Sequence, residues 1–377
     1  MRGLVLFAAA TATVWAQPAG VDGTSHGEKI QSASRPQNPK PPFPYDAIDV
    51  NYENRAGGVE LAGTLDEPLG VGPFPAAILI TGSGPQDRDE TIVGHKPFLV
   101  ISDYLARRGI ATLRVDDRGV GKSTGNSMRA TIGDMADDVL AGVAFLKARK
   151  EIDPKHVGLI GHSEGGVVGP IAASRSSDVA FVVMLAGPGV NLEQVLYRQG
   201  ELMRRAAGAN DRGVALGRAV QELVIGVLKS EPDELAAARK IRDGWAKIKA
   251  ALPPDERREL ARSNEAMEAQ IATFNVPEIR SMLVYQPADT LRKLRIPVLA
   301  LNGSQDLQVA PDQNLPAISA ALSASGSSDF TVTELPGLNH LFQKCNRCTL
   351  AEYSTLEETF SPAALEAMGD WLVQHTR

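Results

Sequence analysis

Cysteine is nearly absent from this 377-residue sequence: Cys345 and Cys348, spaced C-x-x-C, are the only two. Two thiols cannot complete a four-ligand zinc site without other ligands. A redox C-x-x-C belongs beside a βαβ start, whereas this pair falls in a late polar loop, so a local disulfide is expected. Histidine is sparse as well. The six (His26, His95, His156, His162, His340 and His375) are scattered, with no H-x-x-x-H or comparable ligand cluster, so neither a metal nor a cofactor is expected. An excess of basic charge is missing too. Lys+Arg number 39 against 45 Asp+Glu, a net charge of −6, and the two signs are mixed along the chain. A nucleic-acid face would need clustered Lys and Arg, so nucleic-acid partners are excluded. Finally, no apolar run approaches the roughly 20 residues that span a bilayer.

What remains is ordinary globular material, 43% hydrophobic and 22% charged, with ample length for a buried core. Residues 1–16 read as a signal peptide: Met1-Arg2, an apolar run from Leu4 to Trp15, and small residues Val14 and Ala16 before Gln17. The expected protein is therefore exported, secreted or periplasmic, with no stable membrane insertion once the signal is removed. Residues 17–45, containing "RPQNPKPPFPYD", are too rich in Pro, Gly, Ser and Gln for a core and read as an extended arm. "DAIDVNYEN" and "VELAGTLDEP" alternate apolar and polar residues around Arg55-Ala56-Gly57-Gly58, a β-hairpin pattern. "FPAAILITG" is a strand buried on both faces. Helix and strand then alternate: helix 97–108, strand 110–117, helix 131–149 opened by Thr131 and Asp134, strand 156–161, a helix after residue 163, and strand 181–187. The order predicts an α/β fold with a mostly parallel central sheet and helices on both faces. Residues 190–290 break it with Ala-, Leu-, Glu-, Arg- and Lys-rich helical periodicity, too long and regular for a loop. Strands 296–303 and 329–337 and helices 311–323 and 361–374 then resume it. The chain thus divides into a first core segment (46–189), a helical insertion (190–290) and a second core segment (291–377).

The chemistry centres on "LIGHSEGGVVG", where Gly161-His162-Ser163-Glu164-Gly165 fits G-x-S-x-G. A buried strand before it and a small-residue helix after it are the context in which this motif presents a nucleophile on a sharp turn. A serine hydroxyl needs a base, and in this architecture the acid and the histidine follow the serine in the chain. Only His340 and His375 do so. His375 is the third residue from the end, while His340 follows a strand in "LPGLNHLF" and is the expected base. His162, inside the motif, is expected to pack or support. The acid is Asp306 in "VLALNGSQDLQVAP"; Asp312 is better explained by N-capping, and Glu193 is too displaced. Oxyanion donors are expected from the Glu164 N–H and from the loop "TGSGPQDRDE", through Ser83 first and Gly84 second. "DDRGVGKSTG" lacks phosphate-loop spacing and reads as a turn with Asp117 and Arg118 in a local ion-pair network. Leu202, Met203, Val224 and Met282 of the insertion suggest an apolar wall.

The motifs "PPFPY", "GVELAGTLDEP", "GSGPQDRDE", "DDRGVGKSTG", "GHSEGG", "LALNGSQDLQV" and "LNHLFQ" occur in that order over residues 36–377. Together the chain resembles the α/β-hydrolase superfamily, and within it bacterial carboxylesterases related to dienelactone hydrolases and the serine-aminopeptidase-like (S33) branch. The resemblance implies Ser163, Asp306 and His340 as a triad and the 190–290 helices as a cap. Thr81 departs from the pattern, standing where many relatives carry the His of an HG motif. Dienelactone hydrolases proper use a cysteine nucleophile, so their substrate does not carry over. The expected activity is hydrolysis of a small-molecule carboxylic ester. The rivals are a peptidase or acyltransferase with the same triad, or a non-catalytic binding protein.

Overall fold

The computed structural model describes residues 34–259 and 263–377. The expected signal peptide and most of the expected arm lie outside the described residues.

The hairpin pattern becomes β1 (Tyr45–Asn54) and β2 (Val59–Pro68), paired antiparallel. After β3 (Phe74–Ile80), α1 (Pro97–Ala106) and β4 (Ala111–Val115) follow. Then come α2 (Ile132–Lys147), β5 (Ile152–His162), α3 (Gly165–Arg175) and β6 (Val182–Leu185). Helix α2 opens with a capping box. The Thr131 hydroxyl accepts from the Asp134 N–H and the Asp134 carboxylate accepts from the Thr131 N–H, satisfying two donors that a helix start leaves unpaired.

Between β6 and β7 the described chain is helical. Its helices are α4 (Leu192–Ala206), α5 (Asp211–Ser230), α6 (Glu234–Ala251), α7 (Pro254–Glu259), α8 (Ser263–Phe274), α9 (Pro277–Val284) and α10 (Pro287–Leu291). The α/β pattern returns with β7 (Val298–Gly303), α11 (Pro311–Ser323), β8 (Phe330–Leu335) and α12 (Pro362–His375). Among the described residues no helix is long and apolar enough to cross a membrane.

The eight strands form one sheet in the order β1-β2-β4-β3-β5-β6-β7-β8, parallel from β4 to β8. Continuous apolar runs suit this sheet because both faces are covered, and successive side chains enter different cores. Ile78, Leu159, Met184 and Ala300 pack into one cluster; Leu79, Ile160, Leu185 and Leu301 pack into the other. The inner strands β3 to β7 are buried on both sides, and their carboxyl ends are left to loops. In open parallel sheets that edge is where sites form.

One boundary differs. β5 begins at Ile152, not at residue 156, because its first stretch carries Pro154. Proline removes a ladder donor and is placed at bulges, and the pairing with β3 shifts register between Phe74 and Ala76.

Candidate active site

Ser163 follows β5 directly and adopts φ 53°, a left-handed conformation for a residue with a side chain. Such backbone costs on the order of 1–3 kcal/mol and persists only where surroundings impose it. They do so here. Its N–H donates to the Leu185 carbonyl at 2.8 Å, and its carbonyl accepts from the Gly166 N–H at 2.9 Å. The flanking glycines are required by contact: a Cβ on Gly161 would lie 2.0 Å from the Gly165 carbonyl oxygen, and one on Gly165 would lie 2.2 Å from that of Ile80. Helix α3 starts at Gly165, so its positive end points at the serine.

Asp306 and His340 stand in the loops after β7 and β8. His340 Nδ1 donates to Asp306 Oδ2 at 2.8 Å. Asp306 Oδ1 accepts the backbone N–H groups of Gln308 and Val309 at 2.7 and 2.9 Å. One carboxylate oxygen fixes the loop and the other fixes the imidazole. With the proton on Nδ1, Nε2 of the neutral ring is free to accept. Ser163 and His340 line one cavity of about 560 Å³ together with Gly82, Ser83, His162 and Glu164. Its remaining wall is Pro188, Leu192, Val195, Leu196, Gln199, Met282, Gln308 and Val309. Of the four residues suggested for an apolar wall, only Met282 reaches it. Met203 and Val224 are buried in helix packing and Leu202 is half-buried.

The loop after β3 is tied down at every turn. The Thr81 hydroxyl donates to Asp117 Oδ1 at 2.8 Å and the Gln86 N–H to Asp117 Oδ2 at 2.8 Å. Arg88 pairs with Asp116 at 2.7 Å, and Asp89 with Arg114 and Lys96. No acceptor among the described residues takes the N–H of Ser83 or of Glu164, so both are free to point at a developing oxyanion. The Gly84 N–H, the second choice, likewise has no acceptor among the described residues.

Two expectations need correction. Asp117 does not pair with Arg118; it is buried inside the oxyanion loop, while Arg118 pairs with Asp138. Burial pushes the Asp117 carboxyl up to about 8, against the pull of the Gln86 and Thr81 donors. Asp312 is not an N-cap: Ala310 holds that place, and Asp312, in the first turn of α11, accepts from Arg198 of α4 at 2.7 Å. His162 supports the site, as expected. Its Nδ1 meets Glu90 Oε1 at 2.9 Å and its Nε2 meets the His340 carbonyl at 3.0 Å. Both partners are acceptors, so both ring nitrogens donate. Burial alone would depress the His162 pKa, but the charge and hydrogen bond of Glu90 outweigh it and the pKa is raised.

Two buried acids were not legible in the sequence as parts of the site. Glu90 is 1% exposed and closes the polar run "QDRDE", which reads as solvent-facing. Its position directly after a glycine-rich loop was the available signal. Glu278 sits in α9 close enough to Glu164 for each carboxyl to bear on the other's protonation. Two neighbouring buried carboxyls disfavour being ionised together. Burial, and then the Glu164 carboxylate, push Glu278 up to about 9, and burial raises Glu164. A second cavity, of about 660 Å³, borders Glu164. It is lined by Tyr52, Ile78, Met135 and Val139 among others, and it includes neither Ser163 nor His340.

The remaining predicted positions are placed as follows. Glu193 pairs with Lys229, and His375 contacts Asp329 and the Trp371 carbonyl. Cys345 and Cys348 are joined in a disulfide. Among the described residues, no group of three or more His, Cys, Asp or Glu is arranged to hold a metal ion.

The sequence profile of the serine aminopeptidase S33 family matches residues 98–344. The chain belongs to that family, and its fold is that of the α/β-hydrolases. It is 29% identical over 282 residues to the esterase EstD of Thermotoga maritima, covering 74% of this chain and 58% of EstD. The chain thus spans less than two thirds of that relative's length. An uncharacterised 31.7 kDa Escherichia coli protein from the traX-finO intergenic region is 23% identical, over 73% of this chain and 84% of its own. Among solved structures, an esterase from Pyrococcus furiosus superposes with a TM-score of 0.53 at 15% identity, over 92% of this chain and 99% of that one. A hypothetical protein of Pseudomonas aeruginosa superposes with 0.54 at 15% identity, over 94% and 100%.

Proposed function

We propose that this protein is a serine carboxylesterase acting on uncharged, small-molecule esters outside the cytoplasm. The observation that carries the reading is the meeting of three features in one largely apolar cavity: a left-handed Ser163, His340 oriented by Asp306, and two unengaged N–H groups at Ser83 and Glu164. Ser163 Oγ attacks the ester carbonyl as His340 Nε2 takes its proton. The oxyanion is held by the Ser83 and Glu164 N–H groups. The imidazolium returns its proton to the leaving alcohol, and Asp306 stabilises the charge it carries meanwhile. Water activated by the same histidine then hydrolyses the acyl-serine. Helices α4 to α10 act as a cap: Leu192, Val195 and Leu196 of α4 and Met282 of α9 shape the acyl or alcohol subsite. The Cys345–Cys348 disulfide supports an oxidising compartment, as does the leader-like residues 1–16.

Amide hydrolysis is the second reading, favoured by the family's description. Against it, the one acid lining the cavity, Glu164, is buried, and burial raises its pKa, which makes it a poor counter-charge for a substrate ammonium. Parallel assay of short-chain p-nitrophenyl esters and aminoacyl nitroanilides tests the choice. Ester turnover should dominate, and amide turnover exceeding it would overturn the proposal.

A further inference from the structure

Three loops must hold their places for the proposed chemistry: the oxyanion loop at Gly82–Ser83, the turn bearing Ser163, and the loop bearing His340. One buried pair touches all three. Glu90 Oε1 accepts from the Gly82 N–H at 2.7 Å and from His162 Nδ1 at 2.9 Å. His162 precedes Ser163 in the chain, and its Nε2 donates to the carbonyl oxygen of His340 at 3.0 Å. The side chains of Glu90 and His162 are 1% and 5% exposed.

The pair is expensive to keep. Glu90 adopts φ 51°, a conformation that side chains disfavour. Its Oε2 is buried without a donor among the described residues. An apolar pair would fill this space without those penalties, so a local role in the site is the reason to retain charge here. Asp87 enforces the bend: its carbonyl accepts from the Glu90 N–H at 2.8 Å, and its carboxylate accepts from the Asp89 and Thr91 N–H groups.

We infer that Glu90 and the imidazolium of His162 form a positioning pair that registers the oxyanion loop against the base loop, and that it acts on transition-state stabilisation rather than on substrate binding. The inference rests on the serine-hydrolase reading above. Neither residue touches the reacting atoms. Glu90 turns the Gly82 N–H inward, which sets the direction of the next N–H, that of Ser83. His162 clamps the His340 main chain while Asp306 clamps its ring. The titratable groups facing His162 are Glu90, Asp306 and His340, whose ring centroid is 4.8 Å away. A neutral His162 could serve only one of its two acceptors.

The test combines kinetics with a spectroscopic readout. In Glu90→Gln, the neutral amide keeps the shape and removes the counter-charge. Its ester kcat should fall at least about tenfold with KM within about twofold, the signature of an interaction made in the transition state. The rate of Ser163 labelling by a fluorophosphonate should fall in parallel. His162→Gln should behave alike, and the double variant should be no worse than the poorer single one, because the two act as a unit. In 15N-histidine spectra of the wild type at neutral pH, the His162 ring should be doubly protonated. An unchanged kcat in folded Glu90→Gln, a rise in KM alone, or a neutral His162 ring would each overturn the inference. If Glu90→Gln does not fold, His162→Gln and the wild-type spectrum decide. If the wild type hydrolyses no ester, the labelling rates and the spectrum still report on the pair, so failure of the esterase reading is distinguishable from failure of the inference.

Discussion

Asp306 holds two things at once, a loop and a ring, with one oxygen for each. Asp306→Asn keeps the volume but places an amide where a charge must balance an imidazolium. Its ester kcat should fall by roughly 10⁴-fold, the scale found when a buried triad aspartate is made an amide, with unchanged circular dichroism; a loss below about tenfold would remove Asp306 from the mechanism. Ser163, Asp306 and His340 were legible because the motif, its strand-turn-helix setting and chain order are all written in sequence. Glu90, Glu278 and Asp117 were not, because nothing marks a buried acid as buried. "DRDE" and "PEIR" have the composition of solvated turns and helix starts. Burial there is decided by what packs over them from residues far along the chain.

At the scale of elements, α9 places the buried Glu278 against the core beside the buried Glu164. The folded-state pKa of Glu278, about 9, lies above its ordinary value of 4.5. The folded protein therefore binds a proton that the unfolded chain releases, and stability declines as pH rises between those values. The contribution is fully present below about 4.5 and lost through about 9. The acids adding to the same field are Glu164 and Asp117. Glu278→Gln removes this titration while keeping the shape of the side chain. Thermal melts should show the variant more stable than wild type near pH 9 and similar near pH 5. The opposite order at pH 9 would refute the raised pKa of Glu278. A simpler element-level check is the start of α2: Thr131→Ala should cost about 1 kcal/mol in denaturant unfolding, since it removes half of the capping box. Element order followed from periodicity, because a sheet covered on both faces needs continuous apolar strands. The start of β5 did not, because Pro154 reads as a break and only the neighbouring strand turns it into a bulge.

For the whole molecule, sheet order brings together what the chain separates. Residues 163, 306 and 340 meet because β5, β7 and β8 run parallel and end on one edge. That topology could be anticipated from alternation, whereas the cavity lining could not. Met282 reaches the cavity and Leu202, Met203 and Val224 do not, a matter of helix rotation that composition does not encode. The proposed export makes a prediction at this scale. Protein recovered from its native host should have the Cys345–Cys348 pair oxidised, two hydrogens lighter in intact mass than after reduction. Closing so short a loop contributes only about 2 kcal/mol, so reductant should lower Tm slightly and leave ester turnover intact. The central claim is that Ser163 is an activated nucleophile. The most direct measurement is fluorophosphonate labelling followed by peptide mass mapping. The account predicts a single adduct on Ser163, no labelling of Ser163→Ala, and loss of ester turnover in that variant. An adduct elsewhere, or turnover surviving in Ser163→Ala, would contradict it.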